Sequence, residues 1–466
     1  REYVCGRGTA EQFEYFLKGS PWYWAKWPAQ TVNYTESHDD RTWIDVITEN
    51  ADGNGDNPTL HDRRRKGIPV AEHEGIPGVI RDACPAGYGA ELITKRYDVG
   101  GDYSRNGTIL PTLQLLELGA DDAVGAIAAC ARIDRKLSRQ LPTFSALSAE
   151  IALLEENQSP SRAIRNLSQD ATSAGGERPK ITLEDKGALW LVKMQDRNDI
   201  PFLPSKEYVC MSLASRCDIR IPEIRLEKVE GTYVFMIRRF DRDGDPRKPS
   251  RKMFASAKTA LRLPPEAVKG HTKRSYLHLA DVLKRWNMSA GTAHADVKEL
   301  WKRMCFNALV GNSDDHPLNH GLLLEDGSWR LSPAYDITPL SRFAGVLSLS
   351  TSIDGSTECS PGRLLAAAPW FGVDADESVA WLQRAANLVA NQWEDLLIEH
   401  GLPGKEIDAV RPAFAISTAI AQGKHNLAEE ASQAAHPSAR RRSSIIRKPS
   451  GSFSTKLIPG DHKVQQ

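Results

Sequence analysis

Apolar positions along this chain fall into two regimes, one at strand spacing and a later one at helix spacing. Thr232-Tyr-Val-Phe-Met-Ile-Arg238 alternates as a half-buried strand does, and the short runs Ile181-Thr-Leu183 and Ala188-Leu-Trp-Leu-Val192 flank the turn-like Glu184-Asp-Lys-Gly187. That pattern predicts strand, turn, strand, with Lys193 at the far end of the second strand. A helix-like segment follows from Lys206 to Ala214, and from Ser275 onward helical spacing dominates: Tyr276 to Trp286, Asp296 to Val310, Glu377 to Leu397 and Ala409 to Ala421. Within the helical half, Gly321-Leu-Leu-Leu324 and Trp329-Arg-Leu331 flank Glu325-Asp-Gly-Ser328, which reads as a hairpin around an Asp-Gly turn. Upstream, helices are expected near Leu113 to Leu118 and Ala123 to Leu137.

The fold class expected is therefore α+β, with a strand-rich lobe, a helical lobe and an additional mixed subdomain at the N-terminal side. The boundaries fall at 1–165 for the subdomain (1–60 without a clear assignment), 166–255 for the strand-rich lobe, 256–430 for the helical lobe and 431–466 for a basic tail. From Ala435 to the end, seven Lys or Arg stand against one acidic residue without sustained periodicity, so disorder is expected there. Trp22-Tyr-Trp-Ala-Lys-Trp27 is dense in aromatics. Asp52-Gly-Asn-Gly-Asp-Asn57 resembles a calcium loop only superficially, because Asn57 and Arg63 stand where that loop requires Gly and Glu.

Composition narrows the class. A chain of 466 residues is long enough for two or three domains, and its formal net charge of zero gives no global attraction to nucleic acid. Seven cysteines without a C-x-x-C pair suggest neither a disulfide framework nor a zinc site. No secretory pattern opens the chain, and the longest apolar stretch, around Ala123 to Ala131, is too short to span a bilayer. A cytoplasmic location without membrane contact is the expectation.

The candidate chemistry lies between Ala308 and Pro339. Asp314 precedes Asn319 by five residues and Asp336 follows 17 later. In protein kinases a catalytic-loop Asp accepts the substrate hydroxyl proton, an Asn five residues on holds a magnesium ion, and a later Asp bridges metal and nucleotide phosphates. Magnesium prefers oxygen ligands, which Asn319 and Asp336 supply, and a carboxylate at Asp314 can take a proton as the bond to phosphorus forms. Asp314, Asp315 and His316 together also suit a metal hydrolase, so the upstream sequence decides. There Ser173-Ala-Gly-Gly-Glu-Arg-Pro-Lys180 forms a glycine-containing loop ahead of the two strands, Lys193 is placed to reach phosphates, and Glu207 to pair with it. Backbone groups of Arg239-Phe240 are candidates for reading an adenine edge. The loop is not a Walker A motif.

These segments, with Arg239-Phe-Asp-Arg242, Gly311-Asn-Ser-Asp-Asp-His-Pro-Leu-Asn319 and Ser332-Pro-Ala-Tyr-Asp336, resemble the signatures of HipA-type serine/threonine kinases, the toxin components of bacterial toxin–antitoxin modules. Gly78-Val-Ile-Arg-Asp-Ala-Cys-Pro-Ala-Gly-Tyr-Gly89 and Asp121-Asp-Ala-Val-Gly-Ala-Ile127 are similar to two further family segments, so the likeness runs over roughly residues 65 to 415. The resemblance implies a bilobal protein-kinase-like fold using ATP and Mg²⁺. It makes Asp314 the catalytic base, Asn319 and Asp336 the metal ligands, and Lys193 the phosphate-binding lysine. Gly175, Gly176, Glu207, Arg239, Phe240, His316 and Tyr335 would line the nucleotide site, and Ser173, beside Thr172, would be the loop residue whose autophosphorylation switches the enzyme off. It implies a protein substrate such as an aminoacyl-tRNA synthetase, a small DNA-binding antitoxin as partner, DNA contact at most indirect, and growth inhibition as the outcome. A small-molecule phosphotransferase and an inactive binding protein on the same fold remain the alternatives.

Overall fold

The computed structural model describes residues 78–130, 141–155, 158–168, 178–264, 267–343 and 345–435. Ser173, Gly175, Gly176 and Thr172 lie outside the described residues, as do the Trp22–Trp27 segment, the Asp52–Asn57 turn and the tail beyond Ala435.

Among the described residues, five short helices come first: α1 (Gly78–Ala83), α2 (Tyr88–Tyr97), α3 (Thr112–Leu118), α4 (Phe144–Ala152) and α5 (Ser161–Leu167). The strand-rich lobe holds β1 (Lys180–Asp185), β2 (Ala188–Met194), helix α6 (Leu203–Arg216), β3 (Ile224–Val229) and β4 (Thr232–Arg238). These four strands form an antiparallel sheet in the order β1-β2-β4-β3. Both hairpins turn on a two-residue pair with positive φ at each residue, Lys186-Gly187 and Glu230-Gly231, which matches the right-handed twist of the strands. Such a turn fixes register: Asp185 faces Ala188, and five residues further along Lys180 faces Lys193.

Alternation sorts the sheet's residues onto two faces. Ile181, Leu183, Val192, Met194, Val234 and Met236 pack with Leu147 and Ile151 of α4 and Ile164 of α5. Phe235 and Ile237 turn the other way, onto Val209, Met211 and Leu213 of α6, and belong to the large core that continues into the helical lobe. Lys193, between Val192 and Met194, projects on the α6 side.

After β4 the chain crosses between lobes through β5 (Arg242–Asp243), β6 (Ser250–Arg251) and β7 (Phe254–Ser256), then α7 (Ala257–Ala260), α8 (Tyr276–Trp286) and α9 (Ala290–Leu309). The hairpin expected around Asp-Gly is β8 (Gly321–Glu325) and β9 (Ser328–Leu331), turning on Asp326-Gly327, with β7 as its third strand. The helical lobe closes with α10 (Pro361–Ala367), α11 (Ala375–Glu399), α12 (Gly404–Val410), α13 (Ala415–Ala421) and α14 (Leu427–Ala435). Its centre is aromatic: Trp301 meets Trp381 at 5.4 Å between centroids and Trp393 stacks on Phe414 at 4.4 Å. No helix among the described residues is long and apolar enough to cross a membrane.

Three expectations need correction. The helix expected from Ala123 to Leu137 is absent over its described part, 123–130. Gly125 has φ +82 and its backbone is taken up by the strand-rich lobe, its N–H donating to Asp241 and its carbonyl accepting from Arg242 at 2.8 Å each. The single helix expected from Ala409 to Ala421 is broken by a 3₁₀ turn at Arg411–Phe414, where Pro412 cannot donate to a helical ladder. The tail boundary at 431 falls inside α14, which runs to Ala435.

The N-terminal segments are tied in by carboxylates. Asp82 accepts from both the backbone N–H and the hydroxyl of Ser256, 2.7 Å each, at the start of α7. The loop around Asp122 is held by Arg239, Arg242 and Arg251 through backbone carbonyls.

Candidate active site

Lys193 is the hub of the cleft. Its Nζ donates to Glu207 Oε1 and to Asp336 Oδ1, both at 2.6 Å, joining strand β2, helix α6 and the segment after β9. Glu207 is 2% exposed, on a helix whose Leu203, Cys210 and Met211, one turn away on either side, are also buried. Burial pulls Lys193 down, but the Asp336 and Glu207 carboxylates outweigh it and hold the ammonium above its ordinary range. Asp336 is the mirror case: burial raises it, Lys193 and Lys180 more than offset this, and the carboxyl sits well below the usual range. Burial dominates at Glu207 and pushes it up despite Lys193. Asp336 also adopts φ +60, a left-handed backbone that Asp tolerates better than most residues and that recurs where a site fixes a side chain.

The loop between α9 and β8 carries the rest. Asn319 Nδ2 donates to the carbonyl of Asp314 at 2.8 Å, which closes the five-residue loop and leaves the amide oxygen of Asn319 outside that bond. Asp314 is exposed, whereas its neighbour Asp315 is 1% exposed. Gly311 begins the turn with φ +63; a Cβ there would lie 2.5 Å from the Ala413 carbonyl, so only glycine fits. The far end of the loop is fixed through the hairpin: Asp296 of α9 accepts from Arg330 at 2.7 and 3.0 Å and from the Leu331 N–H at 3.1 Å. Arg303 adds a bond to the Ser332 carbonyl at 2.6 Å. Asn319 and Asp336 thus leave opposite ends of one anchored hairpin.

Among the residues expected to line the nucleotide site, Phe240 and Tyr335 come together at 5.6 Å between ring centroids, and the Tyr335 hydroxyl donates to the Leu318 carbonyl at 2.8 Å. The linker between lobes and the Asn319 loop are joined through this pair. His316 is partly buried and its Nδ1 has no hydrogen-bond partner. Arg239 departs from its expected place. Its guanidinium bonds Asp241 at 2.8 and 2.7 Å, the carbonyls of Asp122 and Ala123 and the Thr182 hydroxyl, and its N–H donates to the Leu189 carbonyl. A side chain so fully engaged with the N-terminal loop is a tether, and adenine reading by the Arg239 N–H is blocked by its strand partner.

Two residues were missed in the sequence. Lys180, cross-strand from Lys193, adds a second ammonium at this end of the sheet; burial and then Lys193 lower it to about 8. The register set by the Lys186-Gly187 turn was the signal that could have found it. Asp315, considered in the sequence only as a metal ligand, is instead buried, which raises it to about 6, and its carboxylate accepts from Tyr276 and Ser348 inside the loop. Among the described residues, no three or more His, Cys, Asp or Glu assemble into a metal site. One carboxylate and one amide suit a hard ion that takes its remaining ligands from phosphate and water.

The class is set by this arrangement: a kinase-like α+β fold of two lobes with a Lys–Glu pair in one and an Asp–Asn loop followed by a second Asp in the other. Residues 172–393 match the model of the HipA-like C-terminal domain. The HipA of the Shewanella oneidensis MR-1 toxin–antitoxin system, solved with HipB and its operator DNA, shares the fold at a TM-score of 0.54 and 16% identity, covering 76% of this chain and 86% of that one. A Helicobacter pylori proinflammatory kinase, CtkA, aligns at a TM-score of 0.40 and 12% identity over 57% of this chain and 93% of its own. Among curated proteins, one from Sinorhizobium fredii that bears the name "Putative kinase Y4dM" is 27% identical over 170 residues, 34% of this chain and 39% of that protein. The chain therefore matches well under half the length of that relative.

Proposed function

We propose that this protein is an ATP- and magnesium-dependent protein kinase that transfers the γ-phosphoryl group to a serine or threonine hydroxyl. The observation that carries the reading is the bridge from Glu207 through Lys193 to Asp336, set across the cleft from a loop in which Asn319 is clamped to the Asp314 carbonyl. Magnesium, held by Asn319 and Asp336, would supply charge neutralisation at the phosphates. Lys193 orients phosphate oxygens and is itself aimed by Glu207. Asp314, exposed at the loop tip, accepts the proton of the incoming hydroxyl. Phe240 and Tyr335 offer aromatic surface at the lobe linker for the base.

The same reading extends to a growth-inhibiting toxin restrained by a partner. Support comes from the HipA-like domain and from the Shewanella structure, in which HipA stands with HipB and operator DNA. A small DNA-binding antitoxin is the proposed partner, DNA contact being indirect, and an aminoacyl-tRNA synthetase is the substrate class suggested by the family. The test is to incubate the full chain with γ-labelled ATP, Mg²⁺ and a bacterial lysate, then separate proteins from small molecules. Label in protein as acid-stable phosphoserine or phosphothreonine is expected. Label confined to small molecules would replace the reading with a metabolite phosphotransferase.

A further inference from the structure

Asp315 is a full anionic side chain taken out of water immediately beside the exposed Asp314. Isolated burial of a carboxylate is costly, so its partners matter. Its Oδ2 accepts from the Tyr276 hydroxyl at 2.7 Å, and its Oδ1 accepts from the Ser348 backbone N–H. The Tyr276 oxygen in turn accepts from Asn307 Nδ2 at 3.0 Å, and Asn307 Oδ1 accepts from Asn312 Nδ2 at 3.0 Å. Tyr276, fully buried, opens α8, and its own N–H donates to the Ser350 carbonyl at 3.1 Å. The chain of bonds runs from α8 and α9 through the loop to the 346–350 segment, and two loop residues, Asn312 and Asp315, are members of it.

We infer that Asp315 is a positioning residue for phosphoryl transfer: pinned from inside by Tyr276 and Ser348, it fixes the direction in which Asp314 leaves the loop. Two adjacent carboxylates divide the work, the inner one as anchor and the outer one as proton acceptor. The inference rests on the reading of Asp314 given above. The Asn319 clamp acts on the Asp314 carbonyl, whereas Tyr276 and Ser348 hold the Asp315 carboxylate on the inner side of the same turn. Displacements of about 1 Å at a reacting group cost on the order of 10²-fold in rate.

Asp315→Asn keeps the shape but offers one acceptor oxygen where two donors converge, and Tyr276→Phe removes one donor. Steady-state phosphotransfer by the full chain should show kcat lowered about 10- to 100-fold in each, with KM for ATP within about twofold, since Lys193, Glu207 and Asp336 are untouched. The double variant should lose no more than the worse single one. Unchanged kcat per folded molecule, with only a lower melting temperature, would overturn the inference. Amide hydrogen exchange in nucleotide-free protein separates this from failure of the kinase reading. Exchange across 312–320 should rise at least tenfold in Asp315→Asn while α11 stays protected. Equal exchange in the two proteins would overturn the inference even if the wild type proved to transfer nothing, an outcome that would refute the kinase reading alone.

Discussion

At the scale of single residues, the cleft is governed by one ammonium shared between two carboxylates. Lys193 is 17% exposed at its side chain, and Glu207 only 3%. Removing the lysine therefore strands a charge in the core, and breaking such a pair by deleting one partner costs about 3–5 kcal/mol. Lys193→Met should lower the unfolding free energy by that order and abolish the thermal shift produced by Mg-ATP. Adding Glu207→Gln in the Lys193→Met background should return at least half of the lost stability, measured by denaturant titration, while leaving transfer abolished. A double variant as unstable as the single would mean that Glu207 is not the stranded charge.

At the scale of elements, the Asp314 loop depends on how tightly α9, the β8–β9 hairpin and the 3₁₀ turn at Arg411–Phe414 meet. Gly311 and Gly327 both have positive φ, but a Cβ at Gly311 would strike the Ala413 backbone, whereas at Gly327 there is open space. Gly327→Ala should cost about 1 kcal/mol from backbone strain alone, and Gly311→Ala roughly 2–4 kcal/mol with a fall in kcat, because the loop must shift as well. Equal costs in a denaturant titration would contradict the packing argument.

Legibility followed the same division. The hairpins at Lys186-Gly187 and Asp326-Gly327, the helices α8 and α9, and the Asp314–Asn319 spacing could be read because their signals are local. The tether role of Arg239 and the anchor role of Asp315 could not, because each depends on partners more than thirty residues away, Asp122 and Ala123 for the first, Tyr276 and Ser348 for the second. The false helix at Ala123 arose from apolar small residues whose backbone is instead recruited by Arg239, Asp241 and Arg242.

At the scale of the whole molecule, two buried groups beneath the cleft give opposite responses to pH. Burial, aided by Arg303, lowers His320 to about 3, below its ordinary 6.5; the stability it contributes is complete above 6.5 and is lost as pH falls from there toward 3. Burial raises Asp315 to about 6 from 3.8; its contribution is complete below 3.8 and is lost as pH rises through 6. Between pH 4 and 6 the two largely cancel, each worth about 1.4 kcal/mol per pH unit at full effect. Asp315→Asn should therefore make stability fall more steeply with acid in that window, and His320→Gln should make it rise relative to wild type. Parallel curves for the three proteins would show that neither group titrates as described.

The proposed function makes the cleft between lobes a phosphoryl-transfer site with Asp314 as proton acceptor. The most direct measurement is transfer of labelled γ-phosphate from Mg-ATP to protein by the purified full chain, compared with Asp314→Ala at matched folding by circular dichroism. Transfer by the wild type, reduced at least 10²-fold in the variant with ATP still bound, is the predicted result; equal transfer by both, or none by the wild type despite bound ATP, would contradict it.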